Sequence, residues 1–394
     1  MQKTFTRDAE TWLTYLMLTF YGYLLNILGP LTPYLRDELN ISYTIAGFHF
    51  SAFAVGMLIS GLFGEQLQNR WGYNRTIWFS AFGMLLGSLV FLFARVVYLT
   101  IPGTFLMGLL GTTILSSVNA RLSQKYKEQS AIALTEMNVM ASFMAMCAPL
   151  LVGIFAPTLF GWRAAMMLAL IALLVLAAVF MRPGTWEKVT PLVKSNTNIK
   201  RKSLPWVYWL YWAIAFMVVA VEFCFIFWGS DFLWTVVGLS RELAVLSLSL
   251  FIGAMLVGRT LGSVILRRVS ARILLRSALG MVALGFVFFW TALTPWLAVV
   301  GLFIAGLGVA NLYPTTISLA LHCVPDELAA QASARSVLSS GGAILSLPLL
   351  LGGLADLFGM KPAFLVVPML IALAFGLNLI VAREIDKKYA VIID

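Results

Sequence analysis

The chain has 394 residues, 61% of them hydrophobic and only 11% charged, with a mean hydropathy of +0.92. A water-soluble fold carries about a quarter charged residues, so two or three compact soluble domains are excluded and lipid is the solvent this composition fits. The net charge of +10 would point to nucleic acid in a soluble chain, but its distribution assigns it to membrane topology instead.

Apolar runs bounded by charges or turn residues fall near 11–35, 44–65, 75–95, 98–120, 130–157 and 162–181. A second set falls near 205–231, 243–266, 273–294, 296–322, 332–356 and 362–382. Twelve spans are expected, and they must be helices, because the runs are too long and too continuously apolar for barrel strands. Only seven residues precede Asp8 and no small-residue cleavage site follows, so the first run is expected to be a mature span rather than a removable signal. The longest polar stretch, Arg182 to Pro205, divides the chain into a six-helix bundle at 1–182, a linker at 183–204 and a second bundle at 205–394. Of the 27 Lys and Arg residues, 21 fall on the side of the termini and this linker. Five (Arg36, Arg95, Arg163, Arg241 and Lys361) fall on the other side, and Arg259 alone lies inside a span. That asymmetry places both termini in the cytoplasm and the chain in the cell (inner) membrane, with its basic surplus facing anionic headgroups.

Within the spans, polar residues need a reason. Tyr21, Tyr23 and Asn26 in span 1 are candidates for hydrogen-bonding a solute's hydroxyls, or for bonding between helices. The same two readings hold for Ser116, Ser117 and Asn119 in span 4, and for Asn311, Tyr313 and Thr315 in span 10. His49, near the start of span 2, is either a proton-coupling group or a hydrogen-bonded interface residue. Glu136 and Asn138 lie in the inner part of span 5, Glu136 as a coupling group, a gate or a helix tie, and Asn138 as a binding candidate. Glu222 in span 7 is roughly 13 Å deep at ~1.5 Å per residue, close to the midplane, which is where a protonatable carboxylate couples solute movement to a proton or locks helices together. Arg259 in span 8 is roughly 10 Å from the cytoplasmic end. It is an anchor for a solute oxyanion, a snorkelling cation, or the partner of Glu222, which depth alone places ~6 Å away. Asp231, at the outer end of span 7, is expected to be solvated, and His322 to be structural. Tyr208, Trp209, Tyr211, Trp212, Trp228 and Trp234 are expected at the membrane interfaces. Cys147, Cys224 and Cys323 are far apart and behave as small hydrophobes.

The second half echoes the first at an offset of 198: Gly64 with Gly262, Arg70 with Arg268, Gly103 with Gly301, Gly108 with Gly306, Phe105 with Phe303, Ser42 with Ser240, and Gly161 with Gly359. With one residue of slippage Pro149 meets Pro348 and Gly153 meets Gly352. Two halves with the same starting orientation are parallel repeats about an axis along the membrane normal, a build that keeps its solute site near the midplane.

The segment after span 2 carries Gly64, Leu67, Asn69, Arg70, Gly72 and Arg75. It resembles the signature loop of the major facilitator superfamily, with Asn69 where that family usually has aspartate. A weaker echo after span 8 holds Gly262, Arg267, Arg268 and Arg272. Span 4 keeps Gly103, Gly108 and Gly111 of the family's glycine pattern but has Phe105 where proton-coupled drug exporters have arginine. Span 10, from Gly306 through Asn311, Tyr313 and Pro314 to Thr316, is similar to sugar-permease and fucose-permease relatives. The resemblance implies an all-α membrane protein of twelve transmembrane helices in two six-helix bundles related by pseudo-two-fold symmetry. It further implies a monomer whose spans 1, 4, 7 and 10 line the solute path, with Gly64, Asn69, Arg70, Gly72, Arg75 and Arg268 in gating.

No phosphate-binding glycine loop, metal-ligand spacing or catalytic triad is legible, so no enzyme activity and no cofactor is expected, and a proton gradient is the energy source to expect. The expected function is secondary active transport of a small polar or anionic organic solute by alternating access, coupled to protons, with export or flipping of amphipathic molecules as the alternative. The partners are that solute and the bilayer, not nucleic acid.

Overall fold

A computed structural model of the chain describes residues 6–181 and 203–390. All their regular structure is helical. In chain order the helices are α1 (Ala9–Leu39), α2 (Tyr43–Trp71), α3 (Tyr73–Phe93), α4 (Val97–Tyr126), α5 (Ser130–Phe155), α6 (Arg163–Phe180), α7 (Trp206–Thr235), α8 (Arg241–Ile265), α9 (Ala271–Trp290), α10 (Pro295–His322), α11 (Asp326–Phe358), α12 (Met360–Ala363) and α13 (Val366–Ala390). Among the described residues ten apolar segments are long enough to cross a membrane. One of them, Val97–Phe155, contains both α4 and α5, and another, Met360–Glu384, joins α12 to α13. α1, at 31 residues, completes a set of twelve; its tyrosines, threonines and glycines dilute its hydropathy without shortening it. The linker expected at 183–204 lies outside the described residues except for its last two.

Several helices outrun the apolar runs, because backbone hydrogen bonding continues past the edge of the bilayer while apolar side chains need not. The segment expected as a loop after span 2 is the clearest correction. α2 continues through Asn69, Arg70 and Trp71, and only Gly72 interrupts it before α3 begins. Gly72 has φ +80°, a conformation that favours glycine, so the reversal takes a single residue. Helix starts follow local chemistry: the Asp8 carboxylate accepts from Thr11 N–H at 3.0 Å, the Ser42 hydroxyl from Ile45 N–H, and Pro295 opens α10.

The chain divides into two compact units. Within the described residues the first comprises 6–181 and the opening turns of α8, 241–249; the second comprises 203–240 and 250–390. In the first unit α4 packs on α2 and α3, and α1 on α5; in the second, α10 packs on α9, and α7 on α10, α11 and α13. The 198-residue echo reappears in this packing, contact for contact. A Cβ on Gly87 would lie 2.6 Å from the Gly103 carbonyl oxygen, and one on Gly285 would lie 2.7 Å from that of Gly301. A Cβ on Gly108 would lie 2.0 Å from the Phe53 carbonyl oxygen, and one on Gly306 would lie 2.5 Å from that of Phe251. These helices touch backbone to backbone, which only glycine permits and which membrane packing favours.

The aromatic expectations need revision. Trp209 is exposed, but Tyr208, Tyr211 and Trp228 are fully buried. Tyr208 donates its hydroxyl to the Ala332 carbonyl at 2.7 Å, and Trp228 donates its indole N–H to the Pro348 carbonyl at 2.8 Å. These rings tie α7 to α11 rather than belt the interface, because their polar ends find backbone partners inside the bundle. Asp231, expected in solvent, is likewise fully buried.

Candidate functional site

The second unit brings together three of the candidate residues from three helices. Glu222 on α7 and Arg259 on α8 form an ion pair at 3.9 Å, with side chains 16% and 47% exposed. That separation is an electrostatic contact rather than a hydrogen bond. On α10, Asn311 donates its amide to the carbonyl of Gly258, the residue before Arg259, at 2.8 Å. Its side chain occupies the space where Gly262 has no Cβ, which would otherwise approach within 1.9 Å. The turn of α8 that carries Arg259 is therefore pinned to α10. On the other side α7 is anchored in a cluster of Phe225, Phe232, Phe251, Phe289 and Phe364 with ring centroids 4.4–6.2 Å apart. A carboxylate and a guanidinium held on rigid helices neutralise each other, and removing either strands a charge in a low-dielectric setting.

The same positions in the first unit carry none of this chemistry. Counting back 198 residues, Glu222 becomes Leu24, Arg259 becomes Gly61 and Asn311 becomes Thr113. Only a polar helix contact persists, between the Ser60 and Thr113 hydroxyls at 2.8 Å.

The remaining candidates are dispersed. Tyr21 is buried, its ring packed across Gly111. Asn26 and Asn138 donate to carbonyls of their own helices, at Gly22 and Leu134. Asn119 and Tyr313 are half-buried. His49 is buried with both ring nitrogens engaged, Nδ1 with the Ile45 carbonyl at 3.1 Å and Nε2 with the Thr100 hydroxyl at 2.8 Å. This arrangement suits a neutral ring tying α2 to α4, the interface role of the two considered. Glu136 accepts from the Arg7 guanidinium at 2.8 and 2.5 Å and from the Tyr15 hydroxyl at 3.1 Å, which makes it a tie between α5 and the start of α1. Gly64 is buried, while Asn69, Arg70, Arg75 and Arg268 are exposed.

A second charged cluster escaped the reading of the sequence. At the start of α1, Glu10 pairs with Arg121 at 2.5 Å and Lys125 at 2.9 Å, and Asp8 pairs with Lys125 at 2.6 Å. Burial works against the charged forms of both carboxyls. For Asp8 the Lys125 ammonium and Thr11 outweigh it, and for Glu10 the Arg121 guanidinium and Lys125 do, so both are held below the usual carboxylate range. Burial also opposes the charge on Lys125, and its two carboxylates overcome that and raise it. The partners lie more than a hundred residues apart, and span order alone gives no lateral register between helix ends.

Comparison with known proteins follows the fold. A sequence model of the Major Facilitator Superfamily matches residues 14–346. The glucose/galactose transporter of Brucella abortus biovar 1 (strain 9-941) is 27% identical over 387 residues, covering 90% of each chain. Among solved structures, a D-xylose-proton symporter superposes with TM-score 0.74 at 14% identity, covering 93% of this chain and 96% of that one. A peptide transporter in complex with sulfate superposes with TM-score 0.77 at 14% identity, covering 98% and 96%.

Proposed function

From the premise that this chain belongs to the Major Facilitator Superfamily, and is thus a multi-pass membrane transporter of small solutes and not an enzyme, we propose that it is a proton-coupled secondary carrier. Its solute is a small polar or anionic organic molecule, moved by alternating access. The observation that carries the proposal is the Glu222–Arg259 pair, set inside spans of the second unit and absent from the equivalent positions of the first. A scaffold that folds with Leu24 and Gly61 at those positions has no packing need for charge there, so the ions are there for work. Glu222 binds and releases the proton, and Arg259 meets the polar or charged end of the solute. Asn311 holds the α8 turn that presents Arg259.

The Brucella relative makes glucose and galactose the first solutes to test, followed by small carboxylates that a guanidinium would bind in two places. The basic-residue asymmetry supports cytoplasmic termini and residence in the cell (inner) membrane, and the family supports a monomer that needs no cofactor beyond the proton gradient. The test is solute-driven alkalinisation of the medium around proteoliposomes. Proton uptake that follows addition of one solute class, and vanishes in Glu222→Gln, supports the proposal; transport with no accompanying proton movement overturns the coupling.

A further inference from the structure

The first unit holds a second feature, apart from the Glu222–Arg259 site. The end of α1, the start of α2 and the α3–α4 connection enclose a groove of about 660 Å³, lined by Leu39, Ile45, Phe48, Tyr98 and Pro102 with Arg95 at its edge. Its walls are unusually bare: Phe48 is 46% and Tyr98 86% exposed. Arg95 pairs with Glu38, and Glu38 is already held by Arg163 at 2.5 Å. Arg163 is fixed in turn by the Leu92 carbonyl at 3.0 Å and lies over the Trp162 ring. Two guanidinium groups thus share one carboxylate, so this trio carries one positive charge in excess, with Arg95 lining the apolar groove. The neighbouring Asp37 does not cancel it, because Asp37 pairs with Arg241.

The second unit shows that the fold does not require this charge. At the 198-residue offset Tyr98 becomes Trp296, also exposed at 78%, whereas Arg95 becomes Leu293 and Glu38 becomes Val236. The exposed aromatic residue is common to both units, as expected at a membrane–water boundary. The cation and its shared carboxylate belong to the first unit alone.

We infer that this groove is a binding site for an anionic phospholipid, whose phosphodiester meets Arg95 and whose acyl chain lies over Ile45, Phe48 and Pro102. A singly negative headgroup matches the single excess charge, and a zwitterionic headgroup does not. The groove has the volume of a small-ligand site, and its apolar walls suit a chain rather than a free ion. Competition with Glu38 for Arg95 makes the site selective rather than tight.

The full-length protein, purified in detergent and given equal amounts of phosphatidylglycerol and phosphatidylcholine, tests this by native mass spectrometry. Wild type should retain phosphatidylglycerol about fivefold over phosphatidylcholine, the preference that one cation near the headgroups confers. Arg95→Gln should reduce the phosphatidylglycerol preference, while Leu293→Gln, at the exposed equivalent position of the second unit, should leave it intact. Phe48→Ala should lower retention of both lipids without changing their ratio, which keeps the site testable if the arginine variant does not purify. Added inorganic phosphate should not displace the lipid. Equal retention of the two lipids by wild type, an unchanged preference in Arg95→Gln, or displacement by inorganic phosphate would overturn the assignment.

Discussion

The two units share a skeleton and divide the chemistry. Both bring their central helix against its neighbours through glycine–backbone contacts at positions 198 apart, Gly87 with Gly103 and Gly285 with Gly301, then Phe53 with Gly108 and Phe251 with Gly306. Their charges go to different places. The first unit keeps its ion pairs at helix ends, where Asp8, Glu10, Arg121 and Lys125 knit α1 to α4 and Arg7 with Glu136 knits it to α5. Among the described residues of the second, the Tyr208 hydroxyl and the Trp212 indole donate to carbonyls of α11, and the Glu222–Arg259 ion pair lies inside the spans. Steric rules that act on backbones are therefore common to both halves. Charge, which a scaffold can carry or omit at a given position, distinguishes them.

The largest expected effect tests the shared skeleton. Gly108→Val and Gly306→Val should each abolish recoverable folded protein, because a side chain there meets backbone that cannot yield, and overpacking of even adaptable cores costs ~1–3 kcal/mol. Fluorescence-detected size-exclusion yield is the measurement, and tolerance of one substitution but not the other would break the equivalence of the units. Arg259→Ala should lower solute uptake per folded molecule in proteoliposomes at least about tenfold, equivalent to ~1.4 kcal/mol, beyond any loss of yield from the unpaired Glu222. Gly61→Ala, at the equivalent position of the first unit, has open space for its methyl and should leave uptake unchanged. Glu10→Gln should cost about 1–3 kcal/mol of thermal stability, because Arg121 and Lys125 lose a charged partner. The same cluster sets a pH dependence. Asp8 and Glu10 are held below their ordinary values, so their contribution is fully present above about pH 4–5 and is lost as pH falls through the lower folded values. A melting curve should therefore drop on acidification in wild type by more than in a Glu10→Gln variant. The smallest effect is expected for Asn311→Thr, which gives the second unit the residue of the first. It should loosen the α8–α10 contact by about 1 kcal/mol and weaken solute affinity more than maximal rate.

Much of this was legible in the sequence. Hydropathy gave the spans, and the common offset gave the repeat, because both follow from forces that act on residues one at a time or at fixed spacing. The depth estimate placed Glu222 ~6 Å from Arg259 and left their pairing as one of three readings of the arginine; the structure sets the two groups 3.9 Å apart. What the sequence withheld was lateral register. It could not tell that Asn311 spends its amide on Gly258, that Glu136 meets Arg7, or that the hydroxyl and indole of Tyr208 and Trp228 turn inward to backbone carbonyls. Each of those depends on which face of a helix meets which neighbour, and a span that is apolar all round carries little record of its orientation. The motif after span 2 was misread as a loop for a related reason: polar residues end the apolar run at Gly64, but only Gly72, with its positive φ, ends the helix.

The claim that the ion pair of the second unit couples proton and solute is tested most directly by comparing two assays of Glu222→Gln in proteoliposomes. If the account holds, this variant still exchanges labelled for unlabelled solute at equilibrium but no longer accumulates it against a gradient when the interior is made alkaline. Accumulation by Glu222→Gln at the wild-type level would contradict it.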